Sequence, residues 1–221
     1  MEFYKLDVPS FTQYKYAWAE PAGKPKISDD CERCPKCNRP VSLLFYVPPF
    51  NIEIKQPRRI GDFVGGIIPF DLVVSERFMK EYLESNLNGI LDFFELSVVK
   101  VGSKGSKDYD GPRLFSARIE RPLTQVDYKK MDVKWDNKPT KGYCELCGPG
   151  GGGDNGTLKS YQRISVIENT WTGLDLFIPI NFSGNILITK KAKEFIENNS
   201  FQNYQITIDK ESKFDFYNPI K

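Results

Sequence analysis

The segment DLVVSERFMKEYLESN, residues 71–86, decides the fold of this chain. Residues 71–74 are rich in β-branched side chains, which suit a short buried strand. Ser75 follows, and its hydroxyl can accept a hydrogen bond from a free backbone N–H at the start of a helix. Three large side chains then recur at the spacing of a helix that packs on a sheet: Phe78, Tyr82 and Leu83. The segment therefore predicts a strand followed by a capped helix that begins near Glu76.

The same order of features recurs near the end of the chain, in NILITKKAKEFIENN, residues 185–199. A predicted strand at residues 185–188 leads into Thr189, which lies 114 residues after Ser75. Thr189 can cap a second amphipathic helix that begins near Lys190.

The flanks of the two segments are also similar. An aspartate followed by two apolar residues precedes each strand, at residues 62–64 and 175–177. A predicted strand follows each helix, at residues 90–101 and 204–208. Two matches of this kind can arise by chance, or they can mark a repeat. We predict a single α+β domain, residues 1–221, with mixed or antiparallel sheets and two pseudo-duplicated strand-helix-strand units at about 61–101 and 174–209.

All five cysteines lie in two clusters: Cys31, Cys34, Cys37, Cys144 and Cys147. A Cys-x-x-Cys turn can aim two thiolates at one cation, and zinc prefers four such ligands in a tetrahedron at about 2.3 Å. The predicted ligands of one structural zinc ion are Cys34, Cys37, Cys144 and Cys147. The site would be ribbon-like, with knuckles at residues 31–39 and 143–149. Cys31 with Cys34 is the competing first half-site, and a redox pair or buried free thiols are the alternatives to metal.

The local sequence around each cysteine pair suits a metal knuckle. Pro35 preorganises the first turn, and Asn38 tolerates the left-handed conformation that Gly148 supplies in the second. Residues 38–143, that is 106 residues, separate the half-sites, but the cost of closing a loop grows only with the logarithm of its length. Four nearby cations could offset the charge of a zinc tetrathiolate or could simply be solvated: Arg33, Lys36, Arg39 and Lys141.

Histidine is absent from all 221 residues. This removes Ser-His and Cys-His nucleophilic catalysis and histidine-ligated catalytic zinc. Carboxylate catalysis would have to use Asp62, or Asp71 beside Glu76, although capping and helix-dipole roles explain these residues equally well. We therefore predict that the chain is not an enzyme.

The charge balance is nearly neutral, with 31 Lys and Arg against 29 Asp and Glu. Residues 99–141 are locally basic, which leaves a nucleic-acid-binding zinc ribbon as the alternative function. Acidic residues alternate with the basic ones in this stretch, however, as on an ordinary solvated surface. The first residues lack the pattern of a signal peptide and no apolar run is long enough to span a membrane, so we expect a cytoplasmic protein whose thiols stay reduced.

Several motifs together resemble the bacterial double-CXXCG motif proteins, which look related to immunity proteins of polymorphic toxin systems. The resemblance depends on FYKL (3–6), CPKCN (34–38), the segment at 61–96, CELCG (144–148) and ILITKKAKEFIENN (186–199). The first motif departs from the family pattern, since Asn38 replaces a glycine and Cys31 is an extra cysteine. The resemblance implies a small cytoplasmic protein that binds and neutralises a cognate protein toxin, without catalysis.

An interface with such a toxin should depend on a few aromatic or arginine anchors. Four aromatic residues in the predicted long loops are candidates: Tyr109, Trp135, Tyr143 and Trp171. Packing within the core or on a strand is the alternative role for each of them.

Overall fold

A computed structural model describes residues 1–9, 15–24, 26–42, 47–55, 59–66, 71–102, 104–105, 109–137, 144–149 and 157–208. Within these ranges the strands are β1 (Phe3–Asp7), β2 (Trp18–Pro21), β3 (Asn51–Lys55), β4 (Leu72–Ser75), β5 (Ile90–Val101), β6 (Lys104–Gly105), β7 (Leu114–Ile119), β8 (Lys134–Asn137), β9 (Thr157–Ser160), β10 (Leu176–Phe177), β11 (Ile186–Thr189) and β12 (Gln205–Thr207). The helices are α1 (Glu76–Glu84) and α2 (Lys190–Asn198). The predicted α+β class, with mixed and antiparallel sheets and two helices, is confirmed.

The larger sheet is mixed and curls toward a closed form. Its strand order is β2-β3-β5-β7-β4, with β6 paired to β5. The β3–β5 pair is parallel, and the other pairs among these described strands are antiparallel. Residues 63–65 lie between the two end strands, because Phe63 bridges to Val74 of β4 and Gly65 bridges to Trp18 of β2. Small and aliphatic side chains fill the inside of the curl: Ala17, Ala19, Ile52, Ile54, Val64, Val73, Leu96 and Leu114.

The smaller sheet is antiparallel, in the order β10-β11-β1-β12. The N-terminal strand β1 therefore lies in its middle, with Leu6 opposite Ile186 on one side and Ile206 on the other. One face of this sheet shares a core with both helices and the larger sheet, in which the ring centroids of Phe78 and Phe195 are 6.1 Å apart. The other face is covered by a second apolar cluster that includes Phe3, Val126, Met131, Tyr161 and Phe177.

Both helices begin where the sequence predicts. The Ser75 hydroxyl accepts a hydrogen bond from the Phe78 N–H at 3.2 Å, and the Thr189 hydroxyl accepts one from the Ala192 N–H at 3.3 Å. Each cap satisfies one of the free N–H groups of a first helical turn, which typically stabilises a helix by about 1 kcal/mol.

The predicted apolar face of α1 is wrong in one residue. Phe78 and Tyr82 are buried, but the Leu83 side chain is 64% exposed. Successive helical residues are rotated by about 100°, so Tyr82 lies nearly above Phe78 whereas Leu83 points away from both. Within the described residues, neither helix has the length and apolar character needed to cross a membrane.

Replacing Phe78 with alanine should destabilise the protein by about 3–5 kcal/mol, because the ring is fully buried between Phe63, at 4.9 Å, and Phe201, at 5.1 Å. Urea unfolding followed by circular dichroism measures this loss. Leu83→Ala on the same helix is the matched control and should change stability by no more than about 0.5 kcal/mol. Equal losses in the two variants would contradict the packing described for α1.

Candidate metal centre

Two turns of similar geometry carry the cysteine pairs. In the first turn the Asn38 N–H donates to the Cys34 carbonyl at 2.8 Å, and in the second the Gly148 N–H donates to the Cys144 carbonyl at 2.8 Å. Asn38 has φ = 60° and Gly148 has φ = 63°, so both residues are left-handed. The prediction that Asn38 takes the conformation of Gly148 is confirmed, and the two knuckles are therefore closely alike.

The two knuckles meet face to face. The Sγ atoms of Cys34 and Cys144 are 3.7 Å apart, and those of Cys37 and Cys147 are 3.5 Å apart. All four sulfurs lie within 4.8 Å of one another, whereas Cys31 is outside this group. A tetrahedral ion with bonds of about 2.3 Å would hold its sulfurs about 3.8 Å apart, so the spacing suits such an ion.

The protein environment shifts the pKa values of the thiols in opposite directions. Burial opposes ionisation of Cys34, but N–H groups of Cys37 and Lys36 bond to its sulfur and lower its pKa to about 6. The N–H of Cys147 likewise lowers the pKa of Cys144. Burial raises the pKa of Cys147 to about 12, so this sulfur needs a nearby positive charge to become a thiolate at neutral pH. A divalent cation would supply that charge.

Arg39 supplies part of the positive charge and links the two knuckles. Its guanidinium donates to Cys147 Sγ at 3.0 Å, to the Cys147 carbonyl at 3.2 Å and to the Gly148 carbonyl. Its own carbonyl accepts a hydrogen bond from the Cys34 N–H at 2.9 Å. Of the other three nearby cations, Arg33 donates to the Asn38 carbonyl at 3.0 Å, and Lys36 forms a solvent-exposed ion pair with Glu145. Lys141 lies outside the described residues.

The second knuckle is attached next to the second apolar cluster, the one that covers the outer face of the smaller sheet and includes Val126. Gln125 donates its side-chain amide to the carbonyls of Glu145, at 2.9 Å, and Leu146, at 2.7 Å. Ile180 packs against Cys34 and Cys147 in a small apolar cluster. No motif in the sequence marks Gln125 or Ile180, because their role depends only on where the chain returns in space.

The first knuckle is attached by a chain of ion pairs. Arg121, whose side chain is only 8% exposed, forms two hydrogen bonds with Asp71, and its Nε lies 3.9 Å from Glu32. Arg118 reaches the same Glu32 at 3.4 Å, and the Ile119 N–H donates to Asp71 at 3.0 Å. Glu32 is two residues before Cys34, so this network ties the knuckle to β7 and the start of β4.

The three carboxylates considered for catalysis have structural partners. Asp62 is buried and accepts hydrogen bonds from Ser75 and Arg77, and Asp71 binds Arg121. Glu76 lies at the start of α1 and pairs with Lys80 at 3.3 Å and Arg113 at 3.1 Å. Glu76 has the helix-dipole position that was the alternative to catalysis, whereas the ion pairs of Asp62 and Asp71 come from the structure.

The aromatic candidates for an interface also have partners within the molecule. The Trp171 indole N–H donates to the Leu174 carbonyl at 3.1 Å, and its ring meets Phe3 edge-on. Trp135 packs on Tyr128 with centroids 5.4 Å apart, and burial raises the pKa of Tyr109 to about 12. Tyr143 lies outside the described residues.

Much of the basic stretch at residues 99–141 is paired with acids rather than presented as a free cationic surface. Five of its cations have carboxylate partners within 4.0 Å: Lys100, Arg113, Arg118, Arg121 and Lys130. Lys107 and Lys138 lie outside the described residues.

No family model matches the chain, and no curated protein matches it significantly. The resemblance to double-CXXCG motif proteins therefore stays a prediction.

Replacing Arg121 with methionine should destabilise the protein by about 3 kcal/mol, because it leaves Asp71 and Glu32 without their shared, largely buried cation. Urea unfolding measures the loss. Arg113→Met is the matched control: Arg113 also forms a two-bond pair, with Glu95, but both side chains are more than half exposed. A loss in the control as large as that in Arg121→Met would contradict the role given to burial.

Proposed function

We propose that Cys34, Cys37, Cys144 and Cys147 bind one structural zinc ion. The observation that carries this proposal is the convergence of four sulfurs to within 4.8 Å from turns that lie 106 residues apart. Four thiolates fill a tetrahedral shell and leave no position for substrate or water, so the ion would be structural. The ion would join the two knuckles. Glu32 ties the first knuckle to Arg121, which follows β7, and Gln125 ties the second knuckle to the chain beside the second apolar cluster.

Replacing Cys144 with serine should reduce the zinc content from one ion per chain to none and lower the melting temperature by more than about 10 °C. Elemental analysis of the purified protein and differential scanning calorimetry measure the two effects. Cys31→Ser is the matched control, because Cys31 is close in sequence but outside the sulfur group, and this variant should keep its zinc. Unchanged zinc in Cys144→Ser, or loss of zinc in Cys31→Ser, would reject the ligand set.

We also propose that the two strand-helix-strand units are copies of one pattern. The first unit has the spatial order residues 63–65, β4, β7 and β5. The second unit has the order β10, β11, β1 and β12, so the elements correspond one to one in these orders. α1 follows β4 directly, as α2 follows β11. The strand β1 thus takes the place of β7, although it comes from the other end of the chain.

On this scaffold the chain would act as a cytoplasmic immunity protein that binds and neutralises a cognate bacterial toxin. The family resemblance supports this function, and the structural engagement of Asp62 and Asp71 fits a binding protein better than a catalyst. The pairing of five cations in the 99–141 stretch weighs against the alternative function, a nucleic-acid-binding zinc ribbon.

The toxin domain encoded beside this chain should arrest growth when expressed alone in a host cell, and co-expression of this chain should restore growth. The two purified proteins should then elute together in size-exclusion chromatography, at a dissociation constant of about 10⁻⁷ M or tighter. A chain that is folded and zinc-loaded but neither restores growth nor binds the domain would reject the function while leaving the metal site intact. Salt-sensitive binding to DNA or RNA in a gel shift would instead favour the zinc-ribbon alternative.

A further inference from the structure

A buried carboxylate begins each of the two units, and the first is Asp62, whose exposure is 7%. Its carboxyl accepts a hydrogen bond from the Ser75 hydroxyl at 2.8 Å and one from Arg77 Nε at 3.0 Å, and its carbonyl accepts the Ser75 N–H at 2.8 Å. We call Asp62, Ser75 and Arg77 the first clamp. It joins the helix cap of α1 to the chain segment that closes the larger sheet.

The first clamp closes on the loop that follows the other helix. The Gln202 N–H donates to the Asp62 carboxyl at 3.1 Å, and the Gln202 carbonyl accepts the Phe63 N–H at 3.1 Å. Arg77 donates to the Asn199 carbonyl at 3.0 Å. The Asp62 carboxylate therefore obtains part of its hydrogen bonding from the loop after α2.

The second clamp, Asp175, Thr189 and Lys191, repeats the hydroxyl and cation contacts of the first. Asp175 is also 7% exposed, and its carboxyl accepts from the Thr189 hydroxyl at 2.8 Å and pairs with Lys191 at 3.1 Å. This clamp closes on the loop after α1. The Asn88 carbonyl accepts the Leu176 N–H at 3.1 Å, and the Asn88 side-chain Oδ1 accepts the Asp175 backbone N–H at 2.7 Å. This loop therefore bonds the backbone of Asp175, and Lys191 donates to the Asn86 carbonyl.

The correspondence extends to the loops that the clamps hold. Four pairs of equivalent residues are each 114 apart in the chain: Ser75 and Thr189, Arg77 and Lys191, Asn88 and Gln202, Gly89 and Asn203. Gly89 and Asn203 both have positive φ, at 112° and 67°. Both loops are also tightly packed, since a Cβ on Gly89 would lie 1.8 Å from the Leu176 carbonyl oxygen, and one on Gly61 would lie 2.6 Å from Asn203 Cβ.

We infer that the two clamps form a crossed lock, in which the clamp of each unit holds the loop after the helix of the other unit. A buried carboxylate is costly unless its hydrogen bonds are complete, so release of the loop after α2 leaves the Asp62 carboxyl one hydrogen bond short. Release of the loop after α1 removes the partner of the Asp175 N–H and a partner of the Lys191 ammonium in the same way. The two units consequently open together. This lock uses none of the cysteines and stands apart from the proposed metal site and toxin binding.

The test is amide hydrogen exchange of the full chain with each clamp carboxylate neutralised. Asp62→Asn should accelerate exchange at residues 199–203 by at least about tenfold, and Asp175→Asn should do so at residues 86–89. Each effect then falls in the unit opposite the substitution. Faster exchange confined to the substituted unit's own helix cap, or spread evenly over the chain, would overturn the crossed lock.

The two clamps supply matched controls for each other, because one uses arginine where the other uses lysine. Arg77→Lys and Lys191→Arg should keep the protection of the opposite loop within about threefold of the parent chain, whereas Arg77→Gln and Lys191→Gln should lose it. The glutamine variants supply the same crossed readout if an asparagine variant does not fold. Retention of full protection in both glutamine variants would also overturn the lock.

Discussion

Four sulfur atoms that lie within 4.8 Å of one another bring together two turns from distant parts of the chain. Cys34 and Cys147 are buried and pack against Ile180, and the Cys147 sulfur accepts a hydrogen bond from the Arg39 guanidinium. Thiolates at such spacing repel one another unless a cation lies among them. The proposed zinc ion would offset that repulsion, and its binding energy would add to the Arg39 hydrogen bonds and the apolar contacts that join the two knuckles.

Each knuckle reaches the body of the protein through a different kind of contact. Glu32 connects the first knuckle to Arg121 and Asp71, which are nearly enclosed by protein, whereas Gln125 connects the second through two neutral hydrogen bonds. Away from the knuckles, α1, α2 and the two sheets share one apolar core. A metal in this position would thus brace the periphery of a scaffold whose centre is held by apolar packing.

Paired charges recur at each junction of the fold. Asp62, Asp71 and Asp175 all lie where a strand or a segment between strands meets another part of the chain, and each is hydrogen-bonded to a cation and to a backbone N–H or a hydroxyl. Such groups contribute little net stability compared with apolar residues of similar size, but they are costly to leave unpaired. Their partners therefore favour one pairing of these segments over others.

The sequence by itself determined the features that depend on near neighbours. Ser75 and Thr189 cap their helices as predicted, and Asn38 and Gly148 take matching left-handed conformations, because these preferences involve residues only a few positions apart. The four cysteines that converge could also be predicted, because two Cys-x-x-Cys turns can be combined into a four-sulfur site in few ways.

Only the tertiary structure decided the partners of these local features. It placed β1 between β11 and β12, turned Leu83 to solvent, brought Arg39 to the sulfur of Cys147 and crossed the two clamps. Contacts across about 100 residues depend on how complete sheets and helices pack, and short-range spacing carries no information about that packing.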